Sequence, residues 1–504
     1  MPSWFDVSDD IVRGPGGMTL KYGIIGDGPQ DLIASTGECG LLLRNDAHDG
    51  KPLGYYSPSG PNVRTGWGFG VPMRITLTYL GVDYVRFTGR AYVILPDTGP
   101  KGRRQVAVTL YDCIRTLAEA DLQSIAIQVN KTEAEVINNI IAALPSTEQP
   151  VALDLDPGVD TLQYALYDIG GSVKALTAIA DTARSAFYMV ASKGDGTLIG
   201  RNRHTRMTNA SRFTFNGDFL DLKVPSDLSE VYNLVKVDTH PKNIDPSPTT
   251  VLYALTGDIP QIASGQTLTL WGSYADPATQ NQQLIGGLDV VTALVAYPTA
   301  GFDYAGCSTQ DGSGADLTSS LTVVATAFAA DVKFEVTNTG TLPVYLVAPG
   351  TTTPMLRIRG RGVYDKGPQQ FQASSVQTYG VRPLPSPIDL RYQSDPNVAQ
   401  SAADFVESSY NSLTRRAQEV TFVANESHDK MLLALTVEPG DRITISEPVT
   451  GLANAQVLVQ SVALTVNEGF ITCTLGLSPA SSTPYWRWDI VGQSEWDFTT
   501  IYGF

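Results

Sequence analysis

The chain is poor in the residues that most often bind metals or act as nucleophiles. Its 504 residues include four histidines and four cysteines, and no histidine pair has the H-x-x-x-H or H-E-x-x-H spacing of a metal site. The cysteines are far apart and form no C-x-x-C pair, which predicts buried thiols in a reducing compartment. These residues are His48, His204, His240, His428, Cys39, Cys113, Cys307 and Cys473. We expect no metal site, no cofactor and no disulfide framework.

Signatures of covalent and phosphate chemistry are also missing. The sequence has no G-x-S-x-G elbow, and no cysteine lies in a convincing His/Asn context. The glycine-rich segments 23–31 and 193–201 lack a phosphate-binding loop motif, so they predict turns. No pattern singles out a carboxylate pair for glycoside hydrolysis. We therefore predict no catalytic residue and no enzyme, and a glycan or peptidoglycan hydrolase is the weakest alternative.

Three charged clusters are candidate binding sites. Asp154, Asp156 and Asp160 lack the spacing and the distal glutamate of a calcium loop, which favours a solvated loop over a calcium site. Basic residues gather at 101–104 and 201–206, and each cluster is short and turn-like. We interpret both basic clusters as solvated loops.

Long apolar runs are absent as well. No stretch reaches the roughly 18 apolar residues of a membrane span, and residues 1–14 carry acidic side chains where a signal peptide needs basic ones. The sequence therefore predicts no membrane segment and folding in a cytoplasm. The net charge of -16 and a pI near 4.7 disfavour stable nucleic-acid binding.

What the chain does have is length, glycine and proline. A chain of 504 residues exceeds what one hydrophobic core usually organises, which predicts about three or four domains. Charged residues make up 17%, below the usual roughly 25%, while 46 glycines and 31 prolines suit short strands joined by turns. We expect a mainly β protein.

Hydrophobic periodicity marks the main elements. Apolar residues alternate through 74–110, which predicts three half-buried strands of a small barrel, followed by a helix capped by Asp112. Thr132 and Glu135 form a capping box for a helix at 132–144, and a second helix from 172 leads into a hairpin that turns at 194–196. A third helix, capped by Asp395, covers 395–413. Strands are predicted at 230–238, 332–337, 344–347, 356–359, 420–423, 442–446, 456–466 and 470–477.

Four stretches resemble the tail-tip proteins of phages with long non-contractile tails, of the baseplate-hub type. They are RNDAHDGKPLGYYSP with FTGRAYVILPD, the helix and hairpin at 172–204, SDPNVAQSAADFVESSYN, and LALTVEPGDRITISEPVTGL followed by FITCTLGLSPA and VGQSEWDFTTIYGF. This family is related in plan to the trimeric hub of contractile tails. The chain departs from many relatives because it has no peptidase or lysozyme-like C-terminal segment and because it has the tract 241–354.

The resemblance implies a multidomain, mainly β fold with α+β elements: two hub β-barrel-like domains, a small α/β domain and an inserted β-sandwich. The expected domains are an N-terminal hub domain with a short helix (1–125), an α/β domain (126–225), and a β domain (226–370) that carries the insertion at about 241–354. A second hub domain (371–480) with the helix at 396–413 and an aromatic docking tail (481–504) follow.

The resemblance also implies a function and partners. A hub is a homotrimeric structural protein of the virion tail tip, assembled in the host cytoplasm, that joins the tail tube to the tip and closes it until DNA ejection. Its partners would be the distal tail protein, the tail tube protein, the tape-measure protein and central tip or fibre proteins. Two similar barrels per subunit let a trimer imitate six subunits and so continue a hexameric tube.

Candidate contact residues follow from aromatic area with few charges, for which packing within the chain is the alternative. They lie in the loop 55–67 and in the C-terminal tail: Tyr55, Tyr56, Trp67, Trp486, Trp488, Trp496 and Phe504. The inserted sandwich carries Trp271 and Tyr274, which could stack on a sugar or pack in a core. The alternative function is therefore a receptor- or glycan-binding module that uses this insertion.

Overall fold

The computed structural model describes residues 4–12, 17–98, 104–122, 125–170, 173–225, 227–275, 284–411, 416–467 and 469–480. Within these ranges lie thirty β-strands in several sheets and six α-helices. The fold is mainly β with α+β elements and is multidomain, which confirms the fold class predicted from composition and periodicity.

The N-terminal part is a run of strands followed by one short helix. Its elements are β1 (Met18–Gly23), β2 (Ser35–Arg44), β3 (Pro72–Tyr79), β4 (Val82–Asp97), β5 (Gln105–Tyr111) and α1 (Cys113–Glu119). Buried and exposed positions alternate along β5, as the period of two predicts. The Asp112 carboxylate caps α1 by accepting a hydrogen bond from the Ile114 amide at 3.1 Å, as predicted.

The next part is an α/β unit built around two packed helices. Its elements are β6 (Asp121–Leu122), β7 (Gln128–Thr132), α2 (Glu133–Ala143), β8 (Ala152–Leu155), β9 (Thr161–Ala165), β10 (Val173–Lys174), α3 (Ala175–Arg184), β11 (Met189–Ser192), β12 (Thr197–Arg201) and α4 (Arg203–Thr208). The capping box of Thr132 and Glu135 and the hairpin β11–β12 are confirmed. The helix predicted from 172 begins instead at Ala175, because β10 pairs with β6 first.

The following part contains the insertion. Its strands are β13 (Ser211–Asn216), β14 (Asp221–Lys223), β15 (Leu234–Thr239), β16 (Lys242–Ile244), β17 (Thr250–Ala254), β18 (Gln261–Ile262), β19 (Thr267–Ser273), β20 (Leu284–Leu288), β21 (Leu321–Ala327), β22 (Asp331–Asn338), β23 (Val344–Tyr345) and β24 (Arg357–Asp365). A hydrophobic core of its own lies between Leu252 and Ile358. The sheet β19–β22–β21 covers one side of this core, and β24 pairs with β16, β17 and β20. Separate cores of this kind are what an inserted β-sandwich requires.

The last part returns to the earlier sheets. Its elements are β25 (Gln369–Ser374), β26 (Ile388–Leu390), α5 (Pro396–Tyr410), β27 (Glu419–Val423), α6 (His428–Thr436), β28 (Arg442–Glu447), β29 (Leu452–Asn467) and β30 (Phe470–Pro479). Helix α5 is capped by Asp395, as predicted, and packs on β15 and β25. The four predicted strands are present, but α6 was not predicted. Its signal is the Ser427 hydroxyl, which accepts a hydrogen bond from the Lys430 amide as an N-cap.

One sheet unites the first and last parts of the chain. Its strand order is β14-β27-β30-β29-β1-β2-β5-β4-β3, with β28 paired to β29 and β13 paired to β28. At the centre, β1 pairs antiparallel with both β2 and β29, so the two predicted hub regions share a sheet and one hydrophobic core. The domain boundaries given above stay a prediction.

Gly23 offers a test of this junction. It has φ +112°, and an added Cβ would lie 2.3 Å from the Gln460 carbonyl oxygen and 2.7 Å from the Ser461 Cα on β29. Gly257 has φ +87° but open space around it, so Gly257→Ala adds backbone strain alone, about 1–2 kcal/mol. We expect Gly23→Ala to lower the free energy of unfolding in urea by at least about twice that amount. If Gly23→Ala and Gly257→Ala lower the free energy of unfolding equally, the packing of β1 against β29 does not hold the two parts together.

Candidate assembly interface

Two sets of four strands follow the same path. We call β2, β3, β4 and β5 the N-terminal module and β27, β28, β29 and β30 the C-terminal module. In each module the first strand is followed by a long connection and then by three consecutive strands. In each, the second strand pairs with the third, the third with the fourth, and the fourth with the first, all antiparallel.

The third strand of each module has the same shape in detail. Both β4 and β29 have sixteen residues. Each pairs with the second strand along its first part and with the fourth strand along its later part. The register shifts at Arg86 and Tyr92 in β4, and at residues 453–454 and Gln460 in β29, so each strand has one bulge opposite the second strand and one opposite the fourth. Bulges bend strands at barrel corners, so the modules are bent alike.

A buried ion pair links the two modules. Arg86, 1% exposed, donates from Nη1 to the Glu438 carboxylate at 2.7 Å and from Nη2 to the Tyr22 hydroxyl and the Val437 carbonyl at 2.6 and 2.9 Å. The other Glu438 oxygen accepts a hydrogen bond from the Gly194 amide at 3.3 Å. One guanidinium therefore connects β4, β1, the segment after α6 and, through Glu438, the turn of the β11–β12 hairpin.

Burial governs the charge state around this ion pair. It raises the pKa of the Glu438 carboxyl above its ordinary value, which Arg86 opposes. It also raises the pKa of Tyr22 well above the usual range, so this hydroxyl stays protonated. A carboxylate in such a place is stable only with its cation in hydrogen-bonding contact.

The predicted contact residues of the loop 55–67 divide into two kinds. Tyr56 is fully buried: its hydroxyl donates to the Asp10 carboxylate, and its amide donates to Asn45 Oδ1 at 2.8 Å. Trp67 is half-buried and donates from Nε1 to the Tyr56 carbonyl at 2.8 Å, and Tyr55 is half-buried beside the Tyr56 ring. In this chain Tyr56 is thus a packing residue, and the prediction of a partner contact is kept for Tyr55 and Trp67.

The predicted contacts of the C-terminal tail, Trp486, Trp488, Trp496 and Phe504, lie outside the described residues. Their role stays a prediction. The basic cluster at 101–104 lies almost entirely outside them as well.

The acidic group and the second basic cluster meet each other. Arg201 binds the carboxylates of Asp154 and Asp156 at 2.6 and 3.1 Å, and Arg203 binds Asp160 at 2.6 Å. Both clusters had been interpreted as separate solvated loops, but strands β8 and β12 lie side by side and bring the opposite charges together. Among the described residues, no group of histidine, cysteine, aspartate and glutamate side chains could hold a metal ion.

The two aromatic residues of the insertion also differ. Tyr274 is buried in the core of the insertion, whereas Trp271 is 56% exposed on the outer face of β19. The Trp271 ring stacks on Phe328, with centroids 5.6 Å apart and planes 17° apart. Core packing, the alternative given above, therefore applies to Tyr274 and not to Trp271.

The Arg86 ion pair can be tested against a surface pair of the same sheet. Arg86→Met leaves the Glu438 carboxylate, whose side chain is only 17% exposed, without its cation, and we expect the free energy of unfolding to fall by about 3 kcal/mol. The exposed pair of Lys223 and Glu419 serves as control, and Lys223→Met should cost less than about 1 kcal/mol. The double variant Arg86→Met with Glu438→Gln should recover part of the loss. If Arg86→Met is as stable as the Lys223→Met control, the ion pair does not stabilise the link between the two modules.

The chain was also compared with known protein families, curated sequences and solved structures. No protein-family model and no curated protein sequence matches the chain. No helix among the described residues has the length and apolar character needed to cross a membrane.

Several solved structures of tail proteins align with this chain over nearly its whole length. The 43 kDa tail protein of prophage MuSo2 from Shewanella oneidensis has a TM-score of 0.45 and 9% identity over 94% of this chain and 97% of its own. A tail protein from Neisseria meningitidis has 0.45 and 10% over 92% and 95%, and the prophage tail protein gp18 from Listeria monocytogenes has 0.39 and 10% over 93% and 89%. The TM-scores lie below 0.5 and the identities near 10%, so neither the fold nor the role of this chain is inferred from these structures.

Proposed function

We propose that the protein is a structural component of a phage virion, the baseplate hub of a long non-contractile tail, and that three copies form a ring. The observation that carries this proposal is the repeat of one four-stranded module in a single chain, with the same pairings and with two bulges in the third strand of each copy. The sequence resemblance to baseplate-hub proteins agrees with it.

The repeat supplies the geometry that such a ring needs. A tail tube made of hexameric rings offers six equivalent contacts, and a closed trimer offers three. With two equivalent modules per chain, three chains present six modules and so match a six-fold partner. The shared core and the Arg86 ion pair hold both modules of one chain in a fixed relation.

Charge is compatible with a conduit. The net charge of -16 repels nucleic acid, so an acidic ring lets DNA or a tape-measure protein pass without binding stably. In this proposal the ring lies at the tail tip and closes it until ejection. Its partners are the distal tail protein, the tail tube protein, the tape-measure protein and central tip or fibre proteins, and no residue performs covalent chemistry.

The stoichiometry is measured directly by light scattering on the purified full-length chain of 54.1 kDa. We expect a species of three times this mass, because closed symmetric assemblies bury complementary surfaces that open ones leave exposed. A chain that is monomeric, dimeric or tetrameric at every concentration would contradict the proposal.

A second function is favoured by the exposed Trp271. Indole rings on an exposed sheet face stack on the apolar face of a sugar ring, and neighbouring polar groups bind its hydroxyls. The same face carries the hydrogen-bonded pair Thr267 and Thr337, at 2.8 Å, and the ion pair Lys333 and Glu335, at 2.9 Å. We propose that the insertion binds a glycan of the host surface there.

A host-surface polysaccharide pull-down tests the glycan site. We expect Trp271→Ala to abolish retention, because the stacking surface is lost. The matched control is Phe470→Ala, which removes an exposed aromatic ring of β30 outside the insertion and should leave retention unchanged. If Trp271→Ala is retained like the unaltered chain, the glycan proposal is wrong.

A further inference from the structure

One contact between the two modules occurs within the chain. The turn between β3 and β4 lies against α6, which is part of the connection between the first and second strands of the C-terminal module. The Tyr79 hydroxyl is 3.2 Å from His428 Nδ1, and the two rings are 5.7 Å apart. Just beyond this turn, Arg86 binds the end of the same connection at Val437 and Glu438. The strand end beside a turn of one module thus contacts the long connection of the other, while Leu80 in the turn itself is 76% exposed.

The reverse contact would join a turn of the C-terminal module to the long connection of an N-terminal module, and the surfaces that would make it are exposed. The turn between β28 and β29, residues 448–451, corresponds to the turn between β3 and β4, and its Val449 is 93% exposed. The connection of the N-terminal module, residues 45–71, corresponds to the one that contains α6. It exposes Phe69 by 69% and Leu53 by 41%. The turn 448–451 and the connection 45–71 therefore both expose apolar side chains. They correspond to the two segments that contact each other within the chain.

We infer that the turn 448–451 of one copy contacts the connection 45–71 of the next copy. This inference rests on the proposed ring, in which N- and C-terminal modules alternate. In such a ring each C-terminal module faces the N-terminal module of a neighbour, as each N-terminal module faces the C-terminal module of its own chain. The contact joins Val449 to the exposed side chains of the connection 45–71, Leu53 and Phe69.

The chemistry of both surfaces suits association between copies. Val449, Leu53 and Phe69 are uncharged, and their association removes apolar area from water on both sides. The loop 45–71 is also held firmly, because Asp10 binds Lys51, His48 and Tyr56 in a buried network. A rigid surface loses little conformational entropy on binding.

Crosslinking of the full-length chain tests the contact. The variant Val449→Cys with Phe69→Cys is treated with a short bis-maleimide and separated on a denaturing gel. Native Cys39, Cys307 and Cys473 are buried, and burial raises the pKa of Cys113 well above its ordinary value, so they react slowly. We expect a covalent trimer. The matched control is Val376→Cys with Phe69→Cys, since Val376 is 100% exposed and lies outside both modules, and it should remain a monomer on the gel.

A second measurement separates this inference from the proposed function. Val449→Asp should weaken the trimer, so that the protein concentration at which half of it is dissociated rises by about tenfold or more. Val376→Asp should leave this concentration unchanged. A trimer by light scattering that neither crosslinks through Val449 nor weakens with Val449→Asp overturns the inference and leaves the proposed ring standing. A chain that never forms a trimer overturns both.

Discussion

The buried ion pair between Arg86 and Glu438 is the interaction on which the arrangement of the two modules depends. A guanidinium with almost no access to water must find its counter-charge within the protein. The partners of Nη1 and Nη2 come from several segments of the chain, whereas the buried Nε has no partner among the described residues. Because Glu438 also receives the Gly194 amide, the hairpin of the α/β unit is fixed at the same place. Hydrophobic burial around β1 stabilises the fold but is non-directional. The hydrogen bonds of the ion pair have a fixed geometry, so they orient β4 relative to the segment after α6.

The fixed orientation of the two modules is what allows the repeat to match a symmetric partner. Two modules that were free to move relative to each other could not present equivalent surfaces to a symmetric partner. Strand β1 makes them parts of one sheet by pairing with β2 on one side and β29 on the other. The modules share their strand path and the presence of two bulges, but not the residues at them. Arg86 and Tyr92 lie at the bulges of one module, and residues 453–454 and Gln460 lie at those of the other. Each module can therefore keep a common shape while it carries different chemistry, as the buried ion pair of one module and the exposed Val449 of the other illustrate.

Local signals were predictable from the sequence, and long-range ones were not. The caps at Asp112, Thr132 and Asp395 act within one helical turn, so the side chain and its target lie together in the sequence. The pairing of β1 with β29 joins segments more than 400 positions apart, and no alternation of apolar residues encodes a strand's partner. The same limit explains why Asp154 and Arg201 were interpreted as separate loops, and why Tyr56 was assigned to a partner surface although it packs on Trp67 and Asp10. The resemblance to hub proteins predicts two similar barrels, but hydrophobic periodicity alone does not, because the repeat lies in hydrogen-bond pairing and not in recurring residues.

The central claim is that the two modules occupy equivalent places in one six-part ring. It is tested most directly by electron cryo-microscopy of the purified full-length chain, reconstructed without imposed symmetry. The account predicts a threefold ring in which six similar β modules lie in one layer and alternate between N- and C-terminal. Modules that lie in two separate layers, or a particle without a threefold axis, would contradict it.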